Sequence, residues 1–101
     1  MALADSVSAF RRSKGVYCGA HKERVISTFA MANHSRHAAR SALARCEAAC
    51  IASDACTVCS IDCSGRRLQH CLWVALPECG EEVKWGGMLN GDISTLRARE
   101  G

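Results

Sequence analysis

The stretch RCEAACIASDACTVCSIDC, from Arg45 to Cys63, decides the fold of this chain. It holds five of the eight cysteines in the sequence, separated by three, five, two and three residues. Such cysteines can be metal ligands, disulfide partners or a redox-active pair, and the residues around them help to separate the three possibilities. The five are Cys46, Cys50, Cys56, Cys59 and Cys63, and the remaining three are Cys18, Cys71 and Cys79.

The length and composition predict one small domain that needs cross-links. The chain has 101 residues, of which only 5% are aromatic, so its core is small and poor in large side chains. An even number of cysteines fits a fully paired set, and each disulfide stabilises a fold by about 2–4 kcal/mol. We therefore expect an oxidising compartment: an organelle lumen, an intermembrane space or, alternatively, the outside of the cell.

The spacing of apolar residues around the first two of these cysteines predicts a helix over residues 36–52. Apolar residues recur there every three or four positions, so they share one face of the helix. Because Cys46 and Cys50 belong to this set, both point into the packed face, one turn apart. The set is Ala39, Ala42, Leu43, Cys46 and Cys50.

Short β-branched segments follow this helix and predict a small antiparallel sheet. The best strand is HCLWVAL at 70–76, which Pro77 closes. Other candidates are VYC at 16–18, CTVCSID at 56–62 and EEVKW at 81–85, and Asn90–Gly91 is a common hairpin turn. A disulfide-stapled helix packed against such a sheet places the chain in the α+β class, as a small disulfide-rich domain.

Cysteine chemistry offers two alternatives to a disulfide framework. Cys56 and Cys59 have the spacing of a zinc knuckle, but tetrahedral zinc needs a second pair of ligands, and the sequence holds only one C-x2-C. A redox-active pair normally opens a helix, whose dipole lowers the thiol pKa, whereas these two residues follow one. We expect disulfides, with no metal ligands and no cofactor, and keep a zinc-binding protein as a weaker alternative.

The segment ARCEAACIASDACTVCSIDCSGRRLQHCLW resembles the core of a PAN/apple module over about residues 40–76. In that family a helix carries C-x3-C, a third cysteine starts a strand, and a fourth precedes an apolar residue. The matching positions here are Cys46, Cys50, Cys56 and Cys71, with Leu72 after the last. The resemblance implies a helix tied to a sheet and a role in binding proteins or carbohydrates.

The resemblance also implies a set of pairs. Cys50–Cys56 would be an inner bridge, Cys46–Cys71 an outer one, and Cys18–Cys79 would join the two ends as in apple-type members. Cys59 and Cys63 are then left to pair locally. They can do so only if the residues between them turn, because an extended strand holds them too far apart.

Composition divides the chain into three parts. Residues 1–35 form a basic N-terminal arm, where HKERVISTFAMA places Val25 and Phe29 on one helical face. Residues 36–95 form the disulfide-stapled module, and residues 96–101 form a tail. We expect the arm to contain one or two helices that precede the helix of the module.

Charge is unevenly spread along the chain. Residues 1–45 hold eight Lys and Arg against two acids, and residues 46–101 hold five against eight, which gives +6 and −3 of the net +3. A basic segment can dock other protein subunits or an anionic membrane surface, but without interleaved aromatic residues it does not predict nucleic-acid binding. We predict partner contacts at Arg11, Arg12, Lys14 and Trp85.

The sequence carries no catalytic motif, and it predicts a non-catalytic protein of interaction or assembly rather than an enzyme. One version is an accessory structural subunit of a photosynthetic or respiratory membrane complex, with the basic arm laid along other subunits. The alternative is a secreted, PAN/apple-like recognition module for protein or carbohydrate. A helical arm with little core of its own favours the subunit, and a compact domain whose N-terminus returns to Cys79 favours the module.

Overall fold

The structure is a computed structural model that describes residues 9–19, 24–33, 35–64, 70–84 and 93–100. Within these ranges one α-helix packs against antiparallel strands, and the α+β prediction is confirmed. The elements are β1 (Phe10–Ser13), β2 (Val16–Gly19), β3 (Ser27–Ala30), α1 (Arg36–Ala52), β4 (Val58–Ser64), β5 (His70–Leu76), β6 (Glu81–Lys84), β7 (Ile93–Leu96) and a 3-10 helix (Arg97–Arg99).

The larger of two sheets is the middle of three layers. Its strands run in the order β1-β7-β4-β5-β3, and every neighbouring pair is antiparallel. Along β5, Trp73 and Ala75 pack in the cluster that contains α1, while Val74 and Leu76 pack in the cluster around Cys18. Since successive side chains of a strand point to opposite faces, α1 covers one face and the β2-β6 sheet covers part of the other.

Helix α1 spans the residues that its spacing predicts, and its ends are capped. The Ser35 hydroxyl accepts a hydrogen bond from the Ala38 N–H at 3.0 Å, the role of an N-cap side chain. The Ser35 N–H donates in turn to the Asn33 side chain at 2.8 Å. The buried face consists mostly of small side chains, so the helix lies close to the sheet: Ala38, Ala39, Ala42, Leu43, Cys46 and Cys50.

Strands β4 and β5 form the centre of the middle layer. They pair at seven positions, from Val58 opposite Leu76 to Ser64 opposite His70. Strand β5 has the bounds that HCLWVAL predicts, and its Trp73 is among the largest fully buried side chains. These two strands set the positions of three cysteines relative to α1.

The prediction of N-terminal helices is wrong for the described part of the arm. Residues 27–30 form strand β3, in which Phe29 lies opposite Trp73 of β5. Val25 and Phe29 are four apart, a spacing that fits a helix but also a strand of period two. β-Branched Ile26 and Thr28 favour the strand, and the open edge of β5 gives it backbone partners. Strands β1 and β2 occupy the other described part of the arm.

The described residues of the predicted tail are packed against the domain. Leu96 is only 6% exposed and pairs with Phe10 of β1. The Arg97 N–H donates to the Ala9 carbonyl at 3.0 Å. The boundary drawn after residue 95 therefore falls inside β7. The predicted turn at Asn90–Gly91 lies outside the described residues.

Candidate functional site

Four disulfides join all eight cysteines. Cys46–Cys59 and Cys50–Cys56 fix α1 to β4 and to the residues just before it, with Cα atoms 6.3 and 5.0 Å apart. Cys63–Cys71 joins β4 to β5 at 4.0 Å, and Cys18–Cys79 joins β2 to the segment before β6 at 5.1 Å. A framework of this kind indicates an oxidising, non-cytosolic environment.

Of the three pairs that the PAN/apple resemblance implies, two are present and one is wrong, and the local pairing left to the other two cysteines is wrong as well. The structure contains Cys50–Cys56 and Cys18–Cys79, but it has Cys46–Cys59 and Cys63–Cys71 in place of Cys46–Cys71 and Cys59–Cys63. Strand β4 stays extended, so Cys59 and Cys63 are about 13 Å apart on one face, beyond disulfide reach. Cys71 instead lies directly opposite Cys63 in the β4-β5 ladder.

The Cys18–Cys79 bridge closes the domain. Cys18 is fully buried, and its N–H donates to the Ser60 hydroxyl of β4 at 2.8 Å. The neighbouring Gly19 packs tightly on β6, since a Cβ there would meet a methyl group of Val83 at 3.0 Å. The N-terminal half thus returns to Cys79 through a covalent bond, a hydrogen bond and close packing.

The state of the cysteines bears on the metal and redox alternatives. All eight cysteine sulfurs are in disulfides, so Cys56 and Cys59 offer no thiolate to zinc. Over the described ranges, no three His, Cys, Asp or Glu residues group as a metal site. Cys63 and Cys71 are both half-buried, whereas the four cysteines that hold α1 are fully buried.

Arg11, the first residue predicted to bind a partner, pairs with Glu100. Its Nη2 lies 3.0 Å from Glu100 Oε2, and its Nε donates to the same carboxylate. These hydrogen bonds hold the pKa of Glu100 below its ordinary value and raise the pKa of Arg11. The pair fastens β1 to the residue that follows the 3-10 helix.

Of the other predicted contact residues, Arg12 also has an intramolecular partner. Its Nη2 lies 3.1 Å from Oε1 of Glu47 on α1, and Glu47 accepts a second hydrogen bond from the Ser94 hydroxyl. Lys14 is exposed, and Trp85 lies outside the described residues. A surface ion pair is worth about 0–1 kcal/mol, so a partner could displace the Arg12 pair, and contact at these residues stays a prediction.

Arg99 closes the C-terminal end of α1, a role that the sequence analysis missed. Its Nη1 donates to the carbonyls of Cys50 at 2.9 Å, Cys56 at 2.6 Å and Ser53, and its Nη2 donates to Ile51 at 3.2 Å. Carbonyls at a helix end have no partner within the helix, and a cation there complements the helix dipole. An arginine in a short polar segment points to no particular helix, so the sequence carried no usable signal.

The exposed side of α1 is a second surface that the sequence analysis did not single out. We call it the α1 outer face, and it consists of Arg36, His37, Arg40, Ser41, Ala44, Arg45, Ala48, Ile51 and Ala52. It has no carboxylate. The one acid of the helix, Glu47, is half-buried and paired with Arg12.

Two arginines of the α1 outer face stand where folding disfavours them. The side chains of Arg36 and Arg40 make no hydrogen bond or ion pair with any residue that the structure describes. They lie in the N-terminal half of the helix, where a cation near the first turn opposes the dipole by about 0.3–1 kcal/mol. Like charges four residues apart repel by about 0.2–0.5 kcal/mol more. No contact among the described residues therefore shows this pair of arginines stabilising the fold.

Comparison with known proteins finds no match among family models, curated proteins or solved structures. The PAN/apple resemblance has no support from these comparisons and stays a prediction based on cysteine spacing. Within the described residues, no helix has both the length and the apolar character to cross a membrane.

Proposed function

We propose that this chain is a non-catalytic binding domain of an oxidising compartment, built as a recognition module of the secreted type. The observation that carries the proposal is the return of the N-terminal half onto the domain. Strand β1 pairs with β7, and Cys18 is bonded to Cys79. A domain closed in this way holds its shape by itself, which suits a protein that meets its partner in solution.

The rigid attachment of α1 to the sheet also supports a binding role. Glu47 accepts hydrogen bonds from both Arg12 and Ser94, and Arg99 donates to the carbonyls at the end of α1. These groups are used to hold the helix against the sheet. Since the four disulfides keep that arrangement rigid, a partner would meet a preformed surface, which lowers the entropic cost of association.

The first test is whether the oxidised chain folds alone. We expect a monomer by size-exclusion chromatography with light scattering, and a single cooperative unfolding transition, without any other subunit present. The matched control is the same chain after reduction and alkylation, which should lose the transition. An oxidised chain that is unfolded or aggregated by itself, and folds only with other proteins, would contradict the module.

A second candidate is the accessory subunit of an organellar membrane complex, photosynthetic or respiratory. The positive charge of Arg36 and Arg40, which meets no carboxylate among the described residues, favours it, because a subunit can leave cations to be neutralised by its neighbours. Native gel electrophoresis of mildly solubilised organelle membranes separates the two candidates. Co-migration of the chain with a large complex favours the subunit, and recovery of the free chain outside the cells favours the module.

A further inference from the structure

We propose that the α1 outer face docks an acidic protein surface. The inference rests on the binding function proposed above and names the surface through which that function is exercised. The opposite side of α1 is buried against the middle sheet, with Cys46 and Cys50 fully enclosed. The outer face lies in solvent, and its Ile51 is 54% exposed.

Most of the described arginines bond to acceptors within the domain, but two on α1 do not. Arg36 and Arg40 contact no acceptor among the described residues. Several others each donate to a carboxylate or a backbone carbonyl of the domain: Arg11, Arg12, Arg24, Arg45 and Arg99. The unused pair also sits at the end of the helix where acids would stabilise it. A partner that carries carboxylates would supply the missing counter-charge.

The shape of the α1 outer face also suits a protein partner. A helix turns by about 100° per residue, so His37, Ser41, Ala44 and Ala48 project from the middle of this face, and the last three have small side chains. The Arg36–Arg40 pair lies to one side of this row and Arg45 lies to the other. The small side chains between the Arg36–Arg40 pair and Arg45 let the backbone of a partner approach closely while its acidic side chains reach Arg36 and Arg40.

A protein fits this face better than an anionic membrane does. Helices that lie on lipid surfaces present several bulky apolar side chains to the acyl chains. On the α1 outer face, Ile51 is the one large apolar side chain. An isolated apolar residue at the end of a row of small ones can fill a pocket of a protein partner, but it buries too little apolar surface to bind a bilayer.

The test uses the full, oxidised chain with a photo-activated cross-linking residue in place of Ala44 or, as a control on another face, in place of Lys84. Each protein is incubated with an extract of the cells that make it, and cross-linked peptides are sequenced by mass spectrometry. We expect adducts at Ala44 to a peptide rich in Asp and Glu.

Two matched charge variants then locate the contact. In the Ala44 background, R36E/R40E should reduce the adduct yield at least tenfold, while K84E/R97E, at two exposed positions off α1 and with the same change in net charge, should reduce it less than twofold. R36E/R40E places acids near the start of the helix, so its thermal midpoint should equal or exceed that of the parent. Loss of adducts therefore reports lost docking rather than lost folding.

The contrary outcomes are distinct. Adducts at the Lys84 position alone would overturn the α1 outer face as the docking surface and leave the binding function standing. Adducts at neither position would count against both. Adducts to a second copy of the chain, or binding of vesicles of phosphatidylserine and phosphatidylcholine that R36E/R40E abolishes, would overturn an acidic protein as the occupant.

Discussion

Replacement of Arg99 by alanine should destabilise the domain more than a surface position normally does. Arg99 donates to four carbonyls around the end of α1. Cys50 keeps a second donor in the Ser53 N–H, and water can reach the exposed carbonyl of Ile51. Cys56 is fully buried, and Arg99 is the one described donor to its carbonyl. Leaving that oxygen unpaired costs about 1–3 kcal/mol, and the lost dipole interaction adds about 0.3–1 kcal/mol.

We therefore expect Arg99→Ala to lower the free energy of unfolding by about 2–3 kcal/mol, which in a domain of this size is a fall in Tm of roughly 10–20 °C. Guanidinium denaturation with the disulfides intact measures this change in the free energy of unfolding. Arg99→Lys should lie between alanine and wild type, because one ammonium cannot reach all four oxygens. Arg97→Ala is the matched control, since Arg97 is exposed and its side chain makes no described hydrogen bond. Equal effects at the two positions would refute the reasoning.

Three further predictions follow from burial and charge. The Nε1 atom of Trp73 is buried with no hydrogen-bond partner in the described structure. Trp73→Phe should therefore lower the free energy of unfolding by less than about 1.5 kcal/mol, and Trp73→Ala should lower it by about 3–5 kcal/mol. Urea denaturation compares the two variants, and similar losses of stability would contradict the prediction. Mild reduction with dithiothreitol followed by alkylation should label Cys63 and Cys71 before Cys46 and Cys59, because Cys46 and Cys59 are fully buried. A peptide map that shows the reverse order of labelling would contradict this prediction. The hydrogen bonds from Arg11 lower the pKa of Glu100 below 4.5. The Arg11–Glu100 pair therefore contributes its full stabilisation above pH 4.5 and loses it as the pH falls through the lowered pKa of Glu100. Carboxyl NMR titration of the wild type and Arg11→Ala checks this, and an unchanged Glu100 pKa in the variant would disprove the pairing.

Local periodicity predicted the centre of the fold. Helix α1 and strand β5 have the bounds that their apolar spacing and flanking Ser35 and Pro77 indicate. The helical phase of Cys46 and Cys50 also predicted that both face the sheet. These features depend on neighbours in sequence, so a pattern of three to seven residues is enough to reveal them.

The features that sequence reasoning missed depend on contacts between distant residues. Strand β3 exists because β5 offers an open edge, which the spacing of Val25 and Phe29 does not reveal. The partner of Cys46 depends on the register between β4, β5 and α1. The PAN/apple resemblance implied Cys71 as this partner, whereas the structure has Cys59. Arg99 lies 46 residues beyond Ser53, whose carbonyl it contacts, so no local pattern connects them.

Disulfide mapping of the native protein tests the central claim, a helix stapled to β4 in a domain whose N-terminal half returns to Cys79. Non-reducing digestion with trypsin and Asp-N gives one peptide with Cys18 (15–22), one with Cys46 and Cys50 (46–53), one with Cys56 and Cys59 (54–61), one with Cys63 (62–66) and one with Cys71 and Cys79 (68–84). The structure predicts two separate products. Peptides 46–53 and 54–61 should be joined by two bridges, and peptides 15–22, 62–66 and 68–84 should be joined through the other two. A covalent link between these two groups, such as Cys46 to Cys71, would contradict the account.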